Sequence, residues 1–208
     1  MKLEEVVAAL SRNISSGLPG ESAQLKMAPA HRLSSAEYVR IQLHRTGCVL
    51  ALLFPEKLTG EAKIVLIHRT SSDSVHGGQI SFPGGKQEEQ DASLLHTALR
   101  ETEEEIGVIS STVKIIGALT ELYIPPSNFL VHPFIGYVEE EPVFIPSERE
   151  VNKIITPFLN FFSNPENVHR EKFASARGFE VDAPYYALNE YKIWGATAMM
   201  ISEISALL

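Results

Sequence analysis

Strand-like and helix-like stretches interleave along this 208-residue chain, which predicts an α/β protein with a mixed β-sheet sandwiched between α-helices. Three stretches carry the expectation. Residues 48–54 (CVLALLF) form a continuous apolar run of strand length, the pattern of a central strand covered on both faces. Between Asp91 and Gly107, apolar residues recur at spacings of three and four, as one face of a helix requires. Residues 196–208 are apolar on most faces and read as a buried terminal helix.

The elements follow in order. Residues 1–12 read as an amphipathic helix, and residues 13–35 as an irregular lead-in punctuated by Gly17, Pro19, Gly20 and Pro29. The main domain is expected over residues 36–208. After the central strand, residues 55–60 turn the chain and residues 63–68 form the next strand, the two making a hairpin. Residues 70–77 are a polar loop and 79–82 a short alternating strand. Asp91 or Ser93 can cap the helix that follows, and Gly107 suits the left-handed residue that ends it. Leu95, Ala98, Leu99, Thr102 and Ile106 make its core-facing stripe. Residues 113–119 and 131–138 are further strands around a loop at 123–128. A strand at 151–156 precedes a helical turn led by Pro157. Residues 164–178 read as a polar loop with a short strand, and 179–188 with 191–194 as a closing hairpin. Trp194, at its end, is expected to pack in the core against the last helix.

One domain with one substantial core suits this length. The hydrophobic share of 44% and charged share of 21% are ordinary for a globular protein. A net charge of −8 argues against broad electrostatic binding to nucleic acid or to an anionic membrane. An anionic small molecule would need local help from a metal or a few basic groups. Cys48 is the only cysteine, which fits a reducing compartment and a buried structural thiol. The N-terminus lacks the pattern of a secretory signal, and no apolar run approaches the roughly 20 residues of a membrane helix. A cytoplasmic protein is expected.

Glu101, Glu104 and Glu105 are neighbours on one side of the helix, adjoining its apolar stripe. Like charges at these spacings repel, and at a helix C-terminus the macrodipole disfavours them further. A solvated acidic face is one reading. A hard divalent cation would reverse the penalty, and Mg²⁺ commonly shares its oxygen ligands between carboxylates and substrate phosphates.

The run Arg100-Glu101-Thr102-Glu103-Glu104-Glu105-Ile106-Gly107-Val108 resembles the second half of the Nudix box, R-E-U-x-E-E-x-G-U, where U is apolar. The first half departs from the pattern. Gly85 is followed by five residues and Asp91, but eight residues rather than seven separate Asp91 from Arg100, which leaves Asp91 without an expected role. The resemblance implies the Nudix fold and a Nudix pyrophosphatase, a hydrolase of phosphoric anhydride bonds. It implies Mg²⁺ or Mn²⁺ held by Glu101, Glu104 and Glu105, with the Gly84 carbonyl adding a ligand. Arg100 would orient a helical carboxylate through an ion pair. Glu104, Glu105 or a loop carboxylate such as Glu139, Glu140, Glu141 or Glu150 would serve as general base.

Upstream and downstream segments resemble the coenzyme A pyrophosphatase subfamily. Arg69, Thr70, Gly78 and residues 82–85 hold the register of its motif L-L-T-x-R-S/A, three residues, R, three residues, G, three residues, F-P-G-G. Ser74 stands where that motif has its second arginine. Residues 193–198 (IWGATA) resemble its C-terminal segment. The implied substrate is coenzyme A or its thioesters, cut to 3′,5′-ADP and 4′-phosphopantetheine, with Arg69, His76, Gly84 and Gly85 contacting it. ADP-ribose or another nucleoside diphosphate derivative is the alternative substrate, and a non-catalytic nucleotide-binding regulator a third reading. The superfamily resemblance also allows a homodimer.

Overall fold

The computed structural model describes residues 1–30, 32–39, 43–70, 78–174 and 180–208. Its spine is β1 (Arg45–Pro55), an eleven-residue strand whose alternate side chains enter two different cores. β1 runs parallel to β8 (Phe129–Tyr137) and antiparallel to β2 (Ala62–Ile64) and β5 (Gly84–Lys86). β8 also pairs with β6 (Lys114–Ala118) and β7 (Leu122–Ile124), completing a six-stranded mixed sheet. On one face, Cys48, Leu50, Leu52 and Phe54 pack with Ala98 and Ile106 of α4 (Leu94–Ile106). On the other, Ala51 and Leu53 meet α1 (Leu3–Ser16) and α5 (Gly195–Ala206). The sheet is thus sandwiched between helices, because its central strand is apolar on both faces.

Two three-stranded sheets flank this body. β3 (Leu66–Arg69) lies between β4 (Ile80–Ser81) and β9 (Val151–Ile155). β10 (Val168–Ala174), β11 (Glu180–Leu188) and β12 (Tyr191–Trp194) form a meander that leads into α5.

Several local expectations change. The single strand expected over residues 63–68 is two strands in two sheets, separated at Val65, whose amide still bonds the Leu52 carbonyl. An unbroken apolar run hides such a change of partner, since both halves are buried. β7 falls inside the stretch read as a loop, where Pro125 and Pro126 suggested nothing regular. The turn after Pro157 is a 3-10 helix, Leu159–Ser163. The polar 164–178 stretch carries the seven-residue β10, an exposed edge strand whose charges alternate as edges tolerate.

The lead-in is also more regular than its glycines and prolines suggested. α1 runs four residues further than expected, and α2 (Glu21–Gln24), a 3-10 turn and α3 (Ser35–Val39) follow. Leu3, Val6 and Leu10 of α1 are buried in the same core as α5. Gln24 Nε2 donates to the fully buried Glu203 carboxylate of α5 at 2.9 Å, and Ser202 Oγ donates to the Ala23 carbonyl. Glu203 also accepts from the Thr120 hydroxyl and amide, so its buried side chain meets three donors. Among the described residues no helix is long and apolar enough to cross a membrane.

If the N-terminal helix is part of the folding unit, removing its fully buried leucine opens a cavity in the shared core. Leu10→Ala is expected to cost about 2–5 kcal/mol, read from urea unfolding as one cooperative transition. A loss near zero would show that α1 rests on the domain without belonging to its core.

Candidate active site

The site forms where α4 meets the turn entering β5. α4 starts at Ser93, whose hydroxyl accepts from the His96 amide, and stops at Gly107, which adopts φ 74°, ψ 11°. Its last carbonyls are satisfied by the loop between β8 and β9, Ile145 N–H donating to Ile106 and Ser147 N–H to Glu105. That loop then returns to β3, where the Thr70 amide bonds the Glu150 carbonyl.

The buried face of α4 is rotated from the one read by hydrophobicity. Thr97, Ala98, Thr102, Glu105 and Ile106 are buried, while Leu95 and Leu99 are only partly covered. The three glutamates therefore occupy different environments. Glu104 is exposed, Glu101 mostly covered, and Glu105 fully buried. Arg69 Nη1, at the end of β3, donates to Glu105 Oε1 at 2.7 Å, and the Gly84 amide donates to Oε2 at 2.8 Å. Arg69 is thus a partner of the acidic helix. Burial still outweighs it and pushes the Glu105 carboxyl up to about 7, with Arg69 and the Gly84 amide opposing. Burial raises Glu101 as well, against the pull of Arg100. The negative charges of Glu104 and Glu150 add to that rise. Glu139 is paired with Lys114, and Glu141 caps the Lys57 amide.

Gly84 is required by close approach: it has φ 147°, and a Cβ there would lie 2.2 Å from the Cys48 carbonyl oxygen. A Cβ on Gly85 would lie 2.4 Å from the Glu101 carboxylate, the end of a flexible side chain that would have to move aside.

Arg100 is the hub of the other half. Its guanidinium reaches Glu101 at 3.0 Å and Glu104 at 3.1 Å, the ion-pair role expected of it. It also clasps Asp91, Nε to Oδ1 at 2.9 Å and Nη2 to Oδ2 at 3.0 Å. The Asp91 side chain is fully covered and accepts further bonds from Thr97 Oγ1 and the Glu88 amide. Arg100 first, then the Glu88 amide, hold its carboxyl far below the usual carboxylate range. Asp91, to which the shifted spacing assigns no role in the motif, is thus a buried partner of Arg100. Asp91 lies before the helix begins, so the turn absorbs the additional residue and presents the carboxylate to Arg100. Cys48 is fully buried, as expected, and burial pushes its thiol up to about 11. His76 and Ser74 lie outside the described residues.

The donor set suits a hard divalent cation by its chemistry: three carboxylates within one helical turn, two of them disfavoured as free anions by burial. Each is engaged by an arginine, and among the described residues no three His, Cys, Asp or Glu side chains already converge on one point. Beside Gly84 and Gly85 a cavity of about 570 Å³ opens, lined by Arg69, Lys86, Phe82, Pro125, Trp194 and Met200 among others. Trp194 is half-buried and faces this cavity, where it was expected to be sealed in the core.

The NUDIX domain family profile matches residues 44–178. An uncharacterized Nudix hydrolase NudL of Yersinia enterocolitica is 41% identical over 101 residues, covering 49% of this chain and 51% of that protein. Nudix hydrolase 15, mitochondrial, of Arabidopsis thaliana is 34% identical over 160 residues, covering 74% and 55%. A NudL of Photorhabdus laumondii is 30% identical over 155 residues, covering 74% and 82%. The chain thus spans about half the length of the first two relatives and most of the third. The crystal structure of a MutT/nudix family protein from Enterococcus faecalis superposes with a TM-score of 0.56 at 16% identity, covering 88% of this chain and 71% of that one, a likeness of fold.

The raised Glu105 carboxyl has a defined consequence for stability. Folding raises this group from an ordinary 4.5 to about 7, so the native state binds the extra proton between those values. The favourable contribution is complete below pH 4.5 and is lost as pH rises through 7. In chelator, Glu105→Gln is expected to raise Tm at pH 8 by a few degrees, on the order of 1–2 kcal/mol, and to change it little at pH 5. Equal effects at both pH values would contradict the burial argument.

Proposed function

Because the chain belongs to the Nudix family, we propose that it hydrolyses a diphosphate linkage in a nucleotide derivative with the help of Mg²⁺ or Mn²⁺. The observation that carries the reading is the fully buried Glu105 carboxylate held by Arg69 and the Gly84 amide, two residues that themselves line a cavity of about 570 Å³. Glu101, Glu104 and Glu105 would hold the cation, with the Gly84 carbonyl as a further ligand. When bound, the ion would polarise phosphoryl oxygens and lower the pKa of a coordinated water.

The chain's own groups divide the remaining work. Arg100, fixed by Asp91, orients Glu101 and Glu104. Arg69 holds Glu105 and lines the cavity, where it also meets a phosphate, assisted by Lys86. The general base is drawn from Glu104, which is exposed, Glu105, or a loop carboxylate among Glu139, Glu140, Glu141 and Glu150. Gly84 and Gly85 let the substrate approach the backbone.

Within the family, coenzyme A or its thioesters are the substrate we favour, with 3′,5′-ADP and 4′-phosphopantetheine as products. Support comes from the two segments that resemble the coenzyme A pyrophosphatases. Both contribute to one cavity, Arg69, Phe82 and Gly85 from the first, and Trp194, Ala196 and Thr197 from the second.

The test is a rate comparison with Mg²⁺ over coenzyme A, dephospho-coenzyme A, ADP-ribose and NADH. Coenzyme A is expected to give the highest kcat/KM. Gly85→Ala pushes on the Glu101 carboxylate and should lower kcat on the order of a hundredfold, as small misplacements at reacting centres do, while Tm stays close to wild type. Preference for ADP-ribose would establish the alternative substrate. Metal-independent rates, or a fully active Gly85→Ala variant, would remove the acidic helix from the chemistry.

A further inference from the structure

The cavity beside Gly84 and Gly85 reaches well beyond the groups that handle the diphosphate. Trp194 lines it at the point where β12 passes into α5. Phe173 of β10 stacks on the indole with ring centroids 4.3 Å apart and planes 9° from parallel. Phe173 does not itself line the cavity, so the surface that Trp194 offers there is what the stack leaves uncovered. The surrounding walls, Ile124, Pro125, Pro126 and Val181, are apolar.

These features discriminate between occupants. An alkyl chain would match the apolar walls but make no particular use of the indole. A flat heterocycle would match the walls and also stack on the aromatic surface. We propose that Trp194 is the seat of the substrate's nucleobase. The assignment rests on the reading of the substrate as a nucleotide diphosphate derivative. The Phe173 stack holds the indole in place, so little ordering is required when a base arrives. Trp194 therefore contributes to binding more than to the reacting centre.

Trp194 is the only tryptophan of the chain, so its emission reports on this ring alone. The protein with Mg²⁺ is titrated with ADP, inorganic pyrophosphate and octyl diphosphate, with calorimetry to establish binding. ADP is expected to quench the emission saturably, and pyrophosphate to leave it unchanged. Trp194→Leu should raise KM for a nucleotide substrate on the order of tenfold to a hundredfold, with a smaller change in kcat. Trp194→Phe, which keeps a ring face, should recover most of the loss. ADP that fails to bind, or binds with no change in emission, overturns the proposal. So does octyl diphosphate quenching as ADP does while Trp194→Leu leaves KM unchanged. Quenching by ADP without turnover of any diphosphate would refute the hydrolase reading and leave the base seat standing.

Discussion

Glu105 carries its carboxylate into a place with no exposed surface, and much of the structure around it exists to make that tolerable. Burying an ionised carboxylate is unfavourable by several kcal/mol unless donors replace the lost water. Here the donors are the Arg69 guanidinium and the Gly84 amide, one from the end of β3 and one from the turn entering β5. They do not offset the burial completely, because the carboxyl still rises to about 7. A group left in this condition is poised to gain from a nearby positive charge. The turn can supply its amide only because Gly84 adopts a conformation and an approach closed to any other residue. Asp91 and Arg100 fasten the opposite side of the helix, so the acidic face is fixed from both edges.

The same geometry links the site to parts of the chain outside the family match. Arg69, Gly84 and Gly85 line one end of the cavity, and Pro29, Ala30 and Arg32 of the N-terminal segment line another part of it. That segment is fastened by buried hydrogen bonds to α5, and by the Ala30 amide to the Asp182 carbonyl of β11. The closing meander supplies Trp194 and Val181. The acidic helix and its glycine turn thus adjoin a cavity whose other walls come from distant parts of the chain.

What could be read from the sequence followed from strong local signals. The apolar run of β1, the Ser93 and Gly107 ends of α4 and the arginine-glutamate spacing each act within a few residues, so they survive without tertiary information. What is not legible depends on distant partners. Hydrophobic spacing puts Glu105 on a polar face, since it cannot anticipate a buried carboxylate whose partners lie 36 and 21 positions away. A one-residue shift at Asp91 looks like lost register, although an irregular turn has no register to lose. An aromatic at a strand end, such as Trp194, packs in the core by default, and only the cavity distinguishes the two. Gly17, Pro19 and Gly20 mark turns in the N-terminal lead-in without revealing the short helices around them.

The central claim is that the buried, incompletely compensated carboxylate of Glu105 belongs to a divalent cation site. Mn²⁺ binding, followed by the loss of the free-ion electron paramagnetic resonance signal, tests it without reference to any substrate. The account predicts one or more saturable sites in the wild-type protein and affinity lowered by at least an order of magnitude in Glu105→Gln, as expected when a carboxylate ligand is removed. Equal Mn²⁺ affinity in the two proteins would contradict it.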